Sequence, residues 1–382
     1  MIPYGRQDIS AEDIAAVVAV LQSDFLTQGP AVPRFEAAVA RYCGANQAVA
    51  VNSATSALHL ACLALGLGPG DRLWTSPNTF VASANCARYC GAEVDFVDID
   101  PATGNLSVPA LSEKLERAER AGTLPKIVVP VHFAGLACDM AAIHALAQCY
   151  GFRIIEDASH AIGASYRDEP VGSGRYSDIT VFSFHPVKII TTGEGGMALT
   201  HDDALAARMR RLRNHGITRE PGEMTAAPEG PWYYQQIELG YNYRMTDLQA
   251  ALGASQLSRL ESYVARRRQL AERYDALLDG LPLQRPGRSA GAQSAWHLYV
   301  VRLHDPARRG AVFAALRAAG FGVQVHYIPV HTQPYYRALG FQPGDFPHAE
   351  AHYRTAISLP LYPGLTESDQ DRVAAVLREA LA

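Results

Sequence analysis

The chain has 382 residues, a formal net charge of −4 and a hydrophobic fraction of 48%. That length exceeds one typical hydrophobic core and divides into two parts, while the composition is that of an ordinary globular enzyme. The slightly acidic balance gives no reason to expect nucleic acid or an anionic membrane as a partner, and it neither supplies nor excludes a local cationic site for a phosphate.

The opening MIPYGRQDIS has no basic region followed by an apolar core, so no signal peptide is read there. Apolar positions at helical spacing predict a helix over 11–22, with Ser10 as its N-cap. Between Arg41 and Asp71 there is no formal charge, but Gly44, Asn46, Gln47, Asn52, Ser53, Ser56, His59 and Gly66 interrupt the stretch. A membrane span is predominantly apolar over about twenty residues. This segment is instead a buried strand, a polar turn and a buried helix, and a cytoplasmic protein without membrane attachment is expected. Cys43, Cys62, Cys86, Cys90, Cys138 and Cys149 show no C-x-x-C spacing and no accompanying histidine cluster. They read as free thiols of a reducing compartment, and no metal is expected.

Short apolar runs follow at Ala48–Val51, Arg72–Thr75, Val94–Val97, Ile127–Val131, Ile154–Glu156, Ile179–Phe184 and Met197–Thr200, with helical patterns between several of them. Such alternation predicts an α/β domain around a mostly parallel sheet. Ligands of these sheets gather at the carboxyl ends of the strands. There the sequence places Asn52–Ser56, Asn78–Phe80, Asp157, Ser183 and Lys188. GLGPGD (Gly66–Asp71) follows a helix and lacks the G-x-G-x-x-G spacing, so dinucleotide binding is rejected. A helix is predicted over Thr246–Arg268, then a Gly/Pro/Ser-rich connector at Gly280–Ala295. A strand (His297–Leu303), a helix (Arg308–Ala319), a strand (Gly322–Tyr327) and a last helix (Glu367–Ala382) complete a small α+β unit. The expected division is a large domain over 1–255 and a linking helix plus small domain over 256–382, with residues 1–12 packing near the latter.

The segment from Ile154 to Gly196 carries the chemistry. It puts Asp157 at the end of one apolar strand and Lys188 just past the end of the next. A lysine amine can form a Schiff base with the aldehyde of pyridoxal 5′-phosphate (PLP). An aspartate aimed at the pyridine nitrogen keeps it protonated, so that the ring withdraws electrons from a carbanion. Each residue alone also has a plain reading, as a helix cap or a solvated charge. VNSATSALHLACLAL offers the N-terminus of an apolar helix, where the amides near Ala54–Ser56 and the hydroxyls of Thr55 and Ser56 would face a phosphate. Phe80 reads, unaided, as a core aromatic.

Taken together, EDASHAIGASY, FSFHPVKIITTGEGG and IELGYNYRM resemble the DegT/DnrJ/EryC1/StrS family of sugar aminotransferases over nearly the whole chain. The resemblance implies the PLP-dependent fold type I, similar to aspartate aminotransferase. It implies that Lys188 and Asp157 are catalytic, that Phe80 stacks on the pyridine and that Ser183 donates to the phosphate. His160 stands where many relatives have Gln, near the cofactor ring or its phenolic oxygen, and its role stays open. Asn242 corresponds to an Asn that reaches the neighbouring subunit's phosphate, which implies a homodimer. Arg244 either joins that site or holds the loop.

A lysine at position 188, where dehydrating relatives have His, implies transamination from L-glutamate, which leaves as 2-oxoglutarate. Within the family, LTQGP, GPWYYQQIELGYNYRM and QVHYIPV resemble the UDP-4-amino-4,6-dideoxy-N-acetyl-β-L-altrosamine transaminases of pseudaminic acid synthesis. By that resemblance the substrate is a UDP-linked 2-acetamido-2,6-dideoxy-4-ketohexose, for surface or flagellar glycans. Tyr4, Asp24, Phe25, Leu26, Thr27, Val325, His326, Tyr327 and Ile328 match substrate-contacting segments, although His326 and Tyr327 also read as plain strand residues. The competing readings are a 4-aminotransferase for a dTDP- or GDP-sugar, a non-catalytic PLP-binding protein, and a PLP lyase or dehydratase.

Overall fold

The computed structural model describes residues 1–382. Seven strands form its central sheet: β1 Gln47–Val51, β2 Arg72–Thr75, β3 Glu93–Phe96, β4 Ile127–Val129, β5 Arg153–Asp157, β6 Ile179–Ser183 and β7 Gly196–Thr200. Their spatial order is β1-β7-β6-β5-β4-β2-β3. Only β7 runs antiparallel to its neighbours. The carboxyl ends of the other strands and the amino end of β7 therefore meet at one edge.

The strands read as apolar runs because both faces of the sheet are covered. Every residue of β4 and β6 is buried. The pleat sends alternate residues to opposite faces. Ala48, Ala50 and Phe182 join a core of 42 buried residues on one side, and Val49, Val51 and Val181 join one of 32 on the other. Helix Ala11–Leu21 begins with a capping box in which Ser10 and Asp13 satisfy each other's backbone N–H.

The helix expected over 246–268 is two helices, Asp247–Leu257 and Leu260–Leu277. The Ser258 hydroxyl and N–H both donate to Ser255 O, at 2.7 and 3.2 Å, and close the first helix early. Past the break, Arg259 pairs with the buried Asp13.

Beyond this point lies a second, antiparallel sheet of Leu283–Gln284, Tyr299–Leu303 and Ala356–Leu359, with the middle segment central. Together with helices Leu260–Leu277, Arg309–Ala318 and Glu367–Leu381 it encloses a separate core of 22 buried residues. Ile2–Pro3 pairs in parallel with Phe321–Gly322, which stitches the chain's start to this unit. The strand expected over 322–327 ends at Gly322. Past it only Gln324 keeps a ladder contact, to Ser358, because the backbone turns toward the sheet edge where His326 Nδ1 meets Ser358 Oγ at 2.7 Å. Arg267 anchors the linking helix: fully buried, it donates from Nη1 to the carbonyls of Trp296, His297 and Leu361. No helix is long and apolar enough to cross a membrane.

Candidate active site

A cavity of about 720 Å³ opens at the carboxyl edge of the central sheet. Asp157, the last residue of β5, is buried in its wall. Its Oδ2 accepts from the Ser83 hydroxyl at 2.6 Å and its Oδ1 from the Ser159 N–H at 3.1 Å. Thr79 and Ser83 hydroxyls lie 2.7 Å apart, so the carboxylate is held from a second element. Lys188 enters the cavity from the loop between β6 and β7, which Phe184 closes through backbone bonds to Gly195 and Thr192. Burial lowers the pKa of its amine to about 8, against the opposing pull of the Asp157 carboxylate.

The cavity's other end is an anion cradle. Helix Ala54–Ala64 starts there, with Ser53 as N-cap accepting from the Ser56 N–H at 3.1 Å. The Ser56 hydroxyl donates to Asn52 Oδ1 at 2.7 Å. The amides of Ala54 and Thr55 have no acceptor within the helix, as is general for a first helical turn, and such a terminus favours negative charge. Ser183 closes the cradle from the end of β6. Gly196 sits between Val51 and Ser183, and a Cβ there would lie 2.5 Å from Ala54 N. Only glycine lets β7 pass beneath the helix start.

Phe80 lines the mouth with 60% of its surface exposed, so the core reading is wrong and its ring is left uncovered for a flat partner. His160 is buried against the same cavity; its Nδ1 accepts from the Ala134 N–H at 3.3 Å and its Nε2 lies 3.1 Å from the Tyr327 hydroxyl. Tyr4 and His326 also line the space, their rings 5.2 Å apart. Burial, then the charge of Lys188, pushes His326 down to about 3 and His160 well below its ordinary value, so both are neutral.

Asp24, Phe25, Leu26, Thr27, Asn242, Arg244, Val325 and Ile328 do not line this cavity. Val325 and Ile328 flank the two inward residues, and Ile328 is exposed. The remaining ones come together elsewhere. Thr27 pairs with Thr246, Arg244 with Val51 and Asn242 with Asn214, while Arg244 Nη1 donates to Asn214 Oδ1 at 2.7 Å. Phe25 and Leu26 are 53% and 48% exposed beside them. Within one chain Arg244 thus holds its own loop.

Sequence reasoning missed Ser83, and it placed Asn78 at a strand end without giving it a role. Asn78 is buried, donates to Gly104 O at 3.1 Å and accepts from the Tyr327 N–H at 3.3 Å. The available signal for Ser83 was its place four residues beyond Thr79, in the first turn of helix Ala82–Tyr89.

These groups fit PLP: an amine of lowered pKa beside a carboxylate, an uncovered aromatic face, and unpaired amides with hydroxyls for the phosphate. A sequence profile of the DegT/DnrJ/EryC1/StrS aminotransferase family matches residues 7–378. The chain belongs to that family. It is 42% identical to the spore coat polysaccharide biosynthesis protein SpsC of Bacillus subtilis, over 99% of this chain and 96% of SpsC. Among solved structures it is similar to Helicobacter pylori PseC, an aminotransferase involved in pseudaminic acid biosynthesis, with a TM-score of 0.91 and 29% identity over 100% of this chain and 99% of PseC. The PLP form of the putative sugar aminotransferase Spr1654 of Streptococcus pneumoniae matches with a TM-score of 0.89 and 29% identity, covering 100% of both chains. This DegT-family member is a PLP-dependent sugar aminotransferase of fold type I.

Proposed function

We propose that the protein moves the amino group of L-glutamate to C4 of a UDP-linked 2-acetamido-2,6-dideoxy-4-ketohexose. The product is UDP-4-amino-4,6-dideoxy-N-acetyl-β-L-altrosamine, for pseudaminic acid synthesis in the cytoplasm. The observation that carries the chemistry is one cavity holding Lys188, Asp157 and the amino end of helix Ala54–Ala64. The sugar rests on the likeness to PseC and on the HPVKIITT and QVHYIPV segments.

When bound, PLP supplies an electron-withdrawing ring that stabilises charge on the carbon losing its proton. The protein's own groups do the rest. Asp157, fixed by Ser83 and Ser159, keeps a negative charge at the pyridine nitrogen. Ala54, Thr55 and Ser183 hold the phosphate, and Phe80 covers one ring face. Ser56, whose N–H and hydroxyl are taken by Ser53 and Asn52, braces the helix start instead of donating to the phosphate. The Lys188 amine anchors the cofactor, then takes a proton from Cα of glutamate. In the second half-reaction it returns a proton to the sugar carbon, and the side from which it approaches fixes the new amine's configuration. Because its pKa is about 8, roughly a quarter of the amine is neutral near pH 7.5.

The groups outside the cavity complete the site across a homodimer: Asn242 reaches the partner's phosphate, and Asp24–Thr27 with Arg244 meet the partner's sugar. Their adjacency on one surface supports this reading. A second reading keeps the chemistry but changes the nucleotide or sugar, and the higher identity to SpsC favours it.

Purified protein offered glutamate and a panel of UDP-, dTDP- and GDP-linked 4-ketosugars should form amine only with the UDP-N-acetyl series. Preference for a dTDP-sugar sinks the substrate assignment. Absence of 2-oxoglutarate with every sugar sinks transamination.

A further inference from the structure

We propose that His160 is a positioning residue that makes the Tyr327 hydroxyl a one-way hydrogen-bond donor to an oxygen of the bound ligand. The direction follows from proton counting. A backbone N–H can only donate, and that of Ala134 points at His160 Nδ1 from 3.3 Å. Nδ1 must therefore be bare, so a neutral ring carries its proton on Nε2. Nε2 is 3.1 Å from the Tyr327 oxygen, so it donates, and the hydroxyl proton of Tyr327 is left for another acceptor.

The surroundings hold this arrangement. The charged form of His160 is disfavoured by burial first, then by Lys188 and His326. His297, 4.4 Å away ring to ring, is also kept neutral by burial and adds no charge. Burial pushes the Tyr327 phenol up, so it keeps its proton. The Tyr327 main chain is pinned by Asn78 Oδ1 at 3.3 Å, and its ring meets Phe133 edge-on. A phenol so fixed, lining the cavity beside Lys188, has its acceptor side filled and its donor side pointed at whatever oxygen the cavity holds. Two ligands offer one: the phenolic oxygen of PLP and the ketosugar.

The inference rests on PLP being held at Lys188, but it is independent of the nucleotide. In the apoprotein, ¹⁵N spectra of His160 should show a protonated Nε2 and a bare Nδ1; a proton on Nδ1 overturns the proposal. In holoprotein whose Lys188 adduct is intact, Tyr327→Phe should move the pH midpoint of the cofactor's visible absorbance by about one unit, if the cofactor is the acceptor. If the sugar is the acceptor, that midpoint stays and the sugar KM rises about tenfold, the size of one lost hydrogen bond. If the midpoint and the sugar KM both stay as they were, the proposal is overturned. His160→Leu should reproduce the Tyr327→Phe effect and add nothing to it in the double variant, while His160→Gln, which keeps an N–H donor, restores most of the loss. Additive effects of the two single variants would show that His160 does not act through Tyr327. Loss of the Lys188 adduct in the unaltered protein is a failure of the cofactor site, not of this relay.

Discussion

Lys188 draws its reactivity from where it sits. An exposed lysine would be almost wholly protonated at neutral pH, whereas burial brings this amine to about 8 despite the neighbouring Asp157. Only the neutral amine attacks an aldehyde, so capture of PLP by the apoprotein should accelerate about tenfold from pH 6 to 7 and level off above pH 8. Stopped-flow absorbance measures this directly; a rate that keeps climbing to pH 10 means the amine is not depressed. Lys188 and Asp157 were legible in the sequence because chemistry restricts the residue type at both places and strand ends restrict the position. Ser83 was not legible, since a serine among alanines becomes a carboxylate's donor only when a helix and a distant strand end are brought together. Phe80 misled for the converse reason: aromatic residues usually fill cores, and only the fold shows this one uncovered.

At the scale of elements, the sheet was legible because its apolar runs have no other way to be buried. The split of the expected 246–268 helix was not, because the turn at Ser258 and Arg259 falls inside a continuous helical pattern of residues. Likewise, the segment after Gly322 alternates like a strand but is drawn off by contacts at the cavity. The amino end of helix Ala54–Ala64 is placed by β7 passing beneath it. Gly196→Ala puts a methyl 2.5 Å from Ala54 N, where backbone cannot yield without moving the amino end of that helix. Equilibrium dialysis should show at least a tenfold weaker hold on PLP, with circular dichroism retaining the fold. Unchanged affinity removes this helix terminus from the cofactor site.

At the scale of the whole molecule, two units share one cavity: the large sheet supplies Asp157, Ser183 and Lys188, and the smaller unit supplies His326 and Tyr327. Residues beyond it, Asp24–Thr27, Asn242 and Arg244, were named by resemblance. If they serve a partner's cavity, Lys188→Ala and Asn242→Ala chains are each impaired in pure form. Mixed dimers then regain activity through the one cavity that has both residues intact. Activity no higher than the average of the two parents refutes the shared site. The account as a whole depends on a covalent bond to one amine. Borohydride reduction of PLP-loaded protein, followed by peptide mass spectrometry, should find the pyridoxyl group on Lys188 alone; a group on any other lysine, or none at all, contradicts it.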